Sequence, residues 1–277
     1  MEKTILISEE EANILFEIIF KSSQMLCYNC ESICKVRYNK GFFRRCTFRL
    51  CRKEVSVFKG TIFFQKKLKI LQILNLLKLW FFGIPVTSIS MLLSLSSKTV
   101  RRCLREIAKE AGKKYYSTIG LIGGPGIVVE IDESKFGRRK YFRGHKVDGV
   151  WVLGMVERTP QRKIVLITVP DRKAETLTNI IKNFVHPQSI IFTDCWKGYS
   201  DLKNHFFSHR TVNHSVTFVD FTNNIHTNTI EGNWAGIKQN LPVQYRTEKR
   251  IILYLIRYMI KRNTSNDSFN TFIKLLF

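Results

Sequence analysis

Three acidic stretches stand far apart in the second half of the chain: V-E-I-D-E around Asp132, F-T-D-C-W around Asp194 and T-I-E-G-N-W around Glu231. The two aspartates end runs of β-formers and the glutamate opens a segment of helical pattern, so the three can converge at one edge of a sheet. Carboxylates gathered in this way suit magnesium, a hard cation that takes oxygen ligands and keeps waters and substrate phosphates in its shell. Two such ions about 3.5–4 Å apart stabilise both the attacking and the leaving oxygen of an in-line displacement at phosphorus. Taken singly, an aspartate at a strand end is more simply a turn residue that accepts backbone hydrogen bonds.

The elements that would carry these acids can be read from the apolar periodicity. Residues 127–131 form a strand ending at Asp132, and 150–156 and 163–169 form two more, joined by the turn-like E-R-T-P-Q-R. Short connections make these three antiparallel neighbours. An amphipathic helix over 174–185, a fourth strand over 189–193 and a fifth over 214–219 follow. A helix from Thr229 then presents Glu231, Trp234 and Lys238 along one side, because offsets of three and four share a face. This is the order of an RNase H-like fold, whose first strand is central with the fourth beside it, so Asp132 and Asp194 would be neighbours. Trp196 and Trp234 read as core aromatics, and His214 and His226 as hydrogen-bonded structural histidines.

Of seven cysteines, five lie between positions 27 and 51. Cys27-x-x-Cys30 and Cys46-x4-Cys51 are two short-spaced pairs around a basic, β-leaning segment, the pattern of a zinc ribbon whose knuckles donate thiolates to a structural Zn²⁺. Cys34 is spare, Cys103 and Cys195 read as small buried residues, and disulfides are the competing use. Nine Lys or Arg residues and one acid, Glu54, lie between Lys35 and Lys59, interleaved with aromatics, which suits either a solvated face or phosphate contact. Residues 67–82 and 87–93 have helical apolar spacing, and Ser96-Ser97 can cap a third helix reaching Ala111. That helix puts Val100, Leu104 and Ile107 on one face and leaves Lys98, Arg101, Arg102 and Arg105 for DNA, as in a helix-turn-helix. An ordinary helical hairpin with a charged outer face is the alternative.

The expected class is therefore α/β: an RNase H-like mixed sheet flanked by helices, preceded by a small zinc-ribbon and helix-turn-helix region. Expected boundaries are 1–65 for an N-terminal helix and the ribbon, 66–118 for the helix-turn-helix, 126–245 for the RNase H-like domain and 246–277 for C-terminal helices. The glycine-rich stretch 119–126 is the linker. A net charge of +23, spread over both halves, fits a polyanionic partner bound through counterion release. No secretory signal is expected, because Glu2, Glu9, Glu10 and Glu11 precede any apolar run. The most apolar segment, 70–86, is interrupted by Lys78, Gly83 and Pro85, which argues against a membrane span.

The blocks G-I-V-V-E-I-D-E-S-K-F-G-R-R-K, V-P-D-R-K-A-E-T-L, I-I-F-T-D-C-W-K-G-Y and H-T-N-T-I-E-G-N-W stand in this order over about residues 126–245. In them the chain resembles the catalytic domain of DDE transposases of the Merlin superfamily and their bacterial insertion-sequence relatives, the ISXO2-like transposase domain. C-R-K-E-V-S-V-F-K-G-T-I-F-F is similar to the same family's N-terminal region. The resemblance implies that Asp132, Asp194 and Glu231 hold Mg²⁺ (or Mn²⁺) and carry the catalysis. It implies cutting of double-stranded DNA at element ends and joining of the freed 3′-hydroxyl to target DNA. Lys135, Arg138, Arg139, Lys140 and Arg143, following the first aspartate in a glycine-punctuated loop, would hold scissile-strand phosphates, with Lys238 beside them. A homo-oligomer is expected because two ends must be brought together, in a nucleus if the host is eukaryotic and otherwise in the cytoplasm. A domesticated DNA-binding protein without catalysis and an RNase H-like nuclease without joining are the competing functions.

Overall fold

The computed structural model describes residues 6–21, 25–38, 41–64, 68–137, 149–212, 226–264 and 267–277. The chain divides into two compact units, Met1–Glu110 with Phe269–Phe277, and Ala111–Ser268.

In the first unit, α1 (Glu9–Lys21) begins with a reciprocal cap. Ser8 Oγ accepts the Glu11 N–H at 3.1 Å and Glu11 Oε2 accepts the Ser8 N–H at 2.9 Å, satisfying two donors that a helix start leaves without partners. Its buried Phe16 and Phe20 meet Phe42, Phe58 and the C-terminal Phe277 in an aromatic cluster with ring centroids 5.2–5.9 Å apart. Strands β1 (Cys34–Tyr38), β2 (Phe42–Cys46) and β3 (Glu54–Ser56) form an antiparallel ribbon in that order. Helix α2 (Ile70–Phe81) stops where Gly83 takes a φ of +96°, with the N–H groups of Gly83 and Ile84 closing back on Trp80 and Leu79. Then come α3 (Val86–Leu92), a tight turn, and α4 (Ser97–Thr118), whose first turn is capped by Ser96 Oγ accepting the Thr99 N–H at 3.0 Å.

The second unit is built on strands β4 (Val128–Phe136), β5 (Val150–Glu157), β6 (Ile164–Val169), β7 (Ile190–Asp194) and β8 (Ser208–Val212). Their order is β6-β5-β4-β7-β8, with β4, β5 and β6 antiparallel and β7 and β8 parallel to β4. The first strand is thus central with the fourth beside it, as the element order predicts. The fifth strand is Ser208–Val212; the segment 214–219, where it is expected from sequence, lies outside the described residues.

One face of the sheet carries Val129, Ile131, Leu153 and Met155 against Leu177 and Ile181 of α5 (Ala174–Phe184) and Tyr199 and Leu202 of a 3₁₀ helix (Lys197–Asn204). Against the other face lie α6 (Asn228–Asn240) on β4 and β5, and α7 (Glu248–Asn263) on β6. The approach of α6 depends on Gly154: a Cβ there would stand 2.6 Å from the Trp234 ring and 2.8 Å from Ile230. At the β6 edge, Asn263 accepts the Ile164 N–H and donates to its carbonyl, both at 2.8 Å, standing in for a further strand. Helix α8 (Ser268–Lys274) ends the chain. Among the described residues no helix is long and apolar enough to cross a membrane.

Candidate functional site

Side chains alternate along a strand, so β4 divides its acids between two faces. Glu130 and Asp132 point toward α6, and Glu133 toward the α5 side. The parallel register pairs Val128 with Ile190 and Glu130 with Phe192, and its continuation sets Asp132 level with Asp194. Ile191 belongs to the α5-side core while Phe192 packs with Val128 and Ile190, which puts Asp194 on the α6 face as well. Helix α6 packs on β4 and carries Glu231 exposed on its first turn, and three residues later the Trp234 Nε1–H donates to Asp132 Oδ2 at 2.9 Å. The two aspartates, drawn from separate strands, thus share the sheet face on which α6 lies.

Burial pushes the Asp132 carboxyl up to about 6, with repulsion from Glu133 and Asp194 adding to it and the Trp234 hydrogen bond opposing it. Asp194 Oδ1 accepts the Trp196 N–H at 2.9 Å, so one oxygen of each aspartate is fixed by a donor that sets the carboxylate's rotation. Among the described residues only the four cysteines of the ribbon bring three or more ligand atoms all within 4.8 Å of one another.

Two networks hold the acids in place, and sequence reading does not single out either. On the α6 side, Glu130 is fully buried and accepts from Arg158 Nε at 2.5 Å and from the Ile230 N–H at 3.0 Å. Arg158 Nη2 reaches the His226 carbonyl and Nδ1, both at 2.6 Å. Burial and the Arg158 charge lower the His226 pKa, and because the Arg158 guanidinium and the Asn228 N–H can only donate, Nδ1 is their acceptor. On the α5 side, Glu133 accepts from Arg172 at 3.0 Å and from the Tyr199 hydroxyl. The Arg172 guanidinium lies 4.0 Å from the Trp151 ring and 4.6 Å from the Trp196 ring, clamping the turn that follows Asp194. The period of two within V-E-I-D-E is the signal that could have separated Glu130 from Glu133.

Several expectations need correction. Lys135 lies within β4 rather than in a loop, and its ammonium sits 5.4 Å from the Trp151 ring on the face away from the three acids, because the strand runs on to Phe136. Arg138, Arg139, Lys140, Arg143 and His214 fall outside the described residues. Trp196 is 42% exposed rather than core, whereas Trp234 is buried. Cys195 is exposed and Cys103 half-buried, so neither is a core residue. Lys238 is exposed on the side of α6 that faces Phe136, with its ammonium 5.7 Å from that ring. Lys98, Arg101, Arg102 and Arg105 are all exposed on α4, opposite its buried Val100, Leu104 and Ile107.

The four paired cysteines close on one point. Cys27 and Cys51 Sγ are 3.7 Å apart and Cys30 and Cys46 Sγ 3.4 Å apart, too far for disulfides. A tetrahedron with zinc–sulfur bonds of about 2.3 Å has edges of about 3.8 Å, so the set can hold one zinc ion. Hydrogen bonds with Ser32 lower the Cys30 thiol to about 6, while burial pushes Cys46 up to about 12. Cys34 pairs across the ribbon with Cys46 but stays outside the four.

Residues 122–259, the stretch that contains all three acids, match the model of the ISXO2-like transposase domain. An "Uncharacterized transposase-like protein" of Haemophilus influenzae is 35% identical over 79 residues, which is 28% of this chain and 63% of that relative. The match thus covers less than two thirds of the relative's length. Through the sheet-and-α6 unit that carries Asp132, Asp194 and Glu231, the chain belongs to the family of ISXO2-like transposase domains.

Proposed function

We propose that this protein is a DNA transposase with an RNase H-like catalytic unit that cleaves element ends and joins the freed 3′-hydroxyl to target DNA. The observation that carries the reading is the pair of aspartates set level on adjacent parallel strands, facing the helix that bears Glu231. Asp132, Asp194 and Glu231 would hold Mg²⁺ or Mn²⁺, whose chemistry is to stabilise the attacking and leaving oxygens at phosphorus. Trp234 and the Trp196 amide orient the aspartates, and Lys238 lies where an approaching phosphate can meet its charge. The exposed basic row of α4 supports helix-turn-helix binding to duplex DNA, with the net charge strengthening capture at low salt.

The test uses labelled DNA taken from the borders of the gene, a supercoiled target and Mn²⁺. Nicking followed by strand joining is expected, with Asp132→Ala and Asp194→Ala falling to the metal-free background while retaining DNA. Nicking without joining would make the protein a nuclease, retention without nicking a DNA-binding protein only, and cleavage surviving either substitution would remove the proposed site.

The ribbon is proposed as a structural zinc site. Metal analysis of purified protein should find about one zinc per chain. Cys27→Ser or Cys46→Ser should lose it, while Cys34→Ser should keep it; a zinc-free protein with an intact ribbon would refute the assignment.

A further inference from the structure

The N-terminus of α6 is capped from outside itself. A helix start leaves N–H groups that the N-cap side chain usually satisfies, and Thr227, at the N-cap, is a residue type suited to that task. Its hydroxyl caps nothing: it donates to Glu231 Oε1 at 2.8 Å. The capping is done instead by the distant Glu130 and by His226, which precedes the N-cap. The Ile230 N–H, where an N-cap hydroxyl would bond, goes to the buried carboxylate of Glu130 at 3.0 Å, and the Asn228 N–H faces His226 Nδ1 at 3.3 Å. Arg158 ties both together, bonding Glu130 at 2.5 Å and His226 at 2.6 Å. Thr227 itself is 2% exposed, so its hydroxyl is fixed by packing.

We infer that Glu130 acts as a strand-borne cap for α6, releasing the Thr227 hydroxyl to orient Glu231, so that both are positioning residues for the third carboxylate of the site. The inference deepens the proposed function and rests on it. Thr227 acts on Glu231 directly. Glu130 acts one step back, by fixing the helix start from which Glu231 projects. Glu231 is exposed on the first turn of α6, where fixing one rotamer must overcome side-chain entropy.

The experiment measures Mn²⁺ binding to the full chain by the electron paramagnetic resonance of the free ion, which needs neither DNA nor turnover. Thr227→Val, close in shape and without the hydroxyl, should weaken binding about tenfold, the scale of losing a hydrogen bond behind a metal ligand. Thr227→Ser should restore it to near the wild-type value. In a Glu231→Ala background, Thr227→Val should add nothing through this contact, because the acceptor of the Thr227 hydroxyl is gone. Unchanged binding by Thr227→Val, failure of serine to rescue, or an equal loss in the Glu231→Ala background would each overturn the inference. The proposed metal site has its own control: if Asp132→Ala binds Mn²⁺ as the wild type does, that site falls, and the positioning role falls with it.

Discussion

Arg158→Met lowers the stability of the 111–268 unit by about 3–5 kcal/mol, the usual cost of removing one partner from a buried ion pair. Glu130 has no exposed surface, and its charge is balanced mainly by the Arg158 guanidinium, whose own side chain is 17% exposed. Without that partner the carboxylate must either take up a proton or remain charged in apolar surroundings, and both oppose folding. The loss reaches beyond the pair, since Arg158 also holds the His226 carbonyl and so the segment leading into α6. Urea unfolding followed by tryptophan fluorescence reads the change, because Trp234 sits on that helix. Adding Glu130→Leu should return most of the stability, but not all of it: the Ile230 N–H would still lack its acceptor, a deficit of about 0.5–2 kcal/mol by comparison with lost helix caps. If Arg158→Met cost no more than an ordinary surface substitution, within about 0.5 kcal/mol, the buried network would not be what fixes α6.

How far the sequence discloses such a site depends on whether the signal is local. The β4, β5, β6 and β7 strands are legible because their apolar runs are bounded by turn residues, and the short links between the first three dictate antiparallel pairing. Asp132 and Asp194 are legible for the same reason, each standing at the end of a β-forming run. β8 escapes reading: Ser208, His209, Arg210 and Thr211 give a strand with little apolar alternation, held by pairing along β7 instead of by a buried face. Arg158 escapes because it sits in a turn-like stretch, and nothing nearby in sequence tells that Glu130 is its partner 28 residues away. Trp196 misleads in the opposite direction: next to a buried strand, it lies in the turn after Asp194, where Arg172 stacks on its ring and no core encloses it. The cluster of four cysteines is readable from their spacing, since two short pairs flanking a β-hairpin can close on one point, whereas the delegation of the α6 cap is a three-dimensional fact that no short window contains.

Asp132→Asn is expected to stabilise the protein when no Mg²⁺ or Mn²⁺ is supplied, while removing the proposed activity. Asparagine keeps an oxygen to accept the Trp234 N–H, so the packing between β4 and α6 survives and only the charge is lost. That charge is unfavourable in the folded state: burial, then Glu133 and Asp194, hold the Asp132 value near 6, above the value of about 3.9 for an exposed aspartate. An acid raised on folding costs nothing below the unfolded value, where both states are protonated. The cost grows between about pH 4 and 6 and is complete above that, reaching about 2–3 kcal/mol. The gain from asparagine should therefore be full at pH 7.5, shrink on acidification through pH 6 and vanish below about pH 4, as read from urea midpoints across the range. Mn²⁺ should reverse the order at pH 7.5, because an ion that binds the folded wild type adds stability by mass action and the variant has lost a ligand. A wild type that matches the variant at every pH, with or without Mn²⁺, would mean that Asp132 bears no repulsion to relieve. Should the predicted reversal appear, the instability at this position is the cost of keeping a carboxylate where a cation is to be held, a sacrifice of stability for function that active sites commonly make.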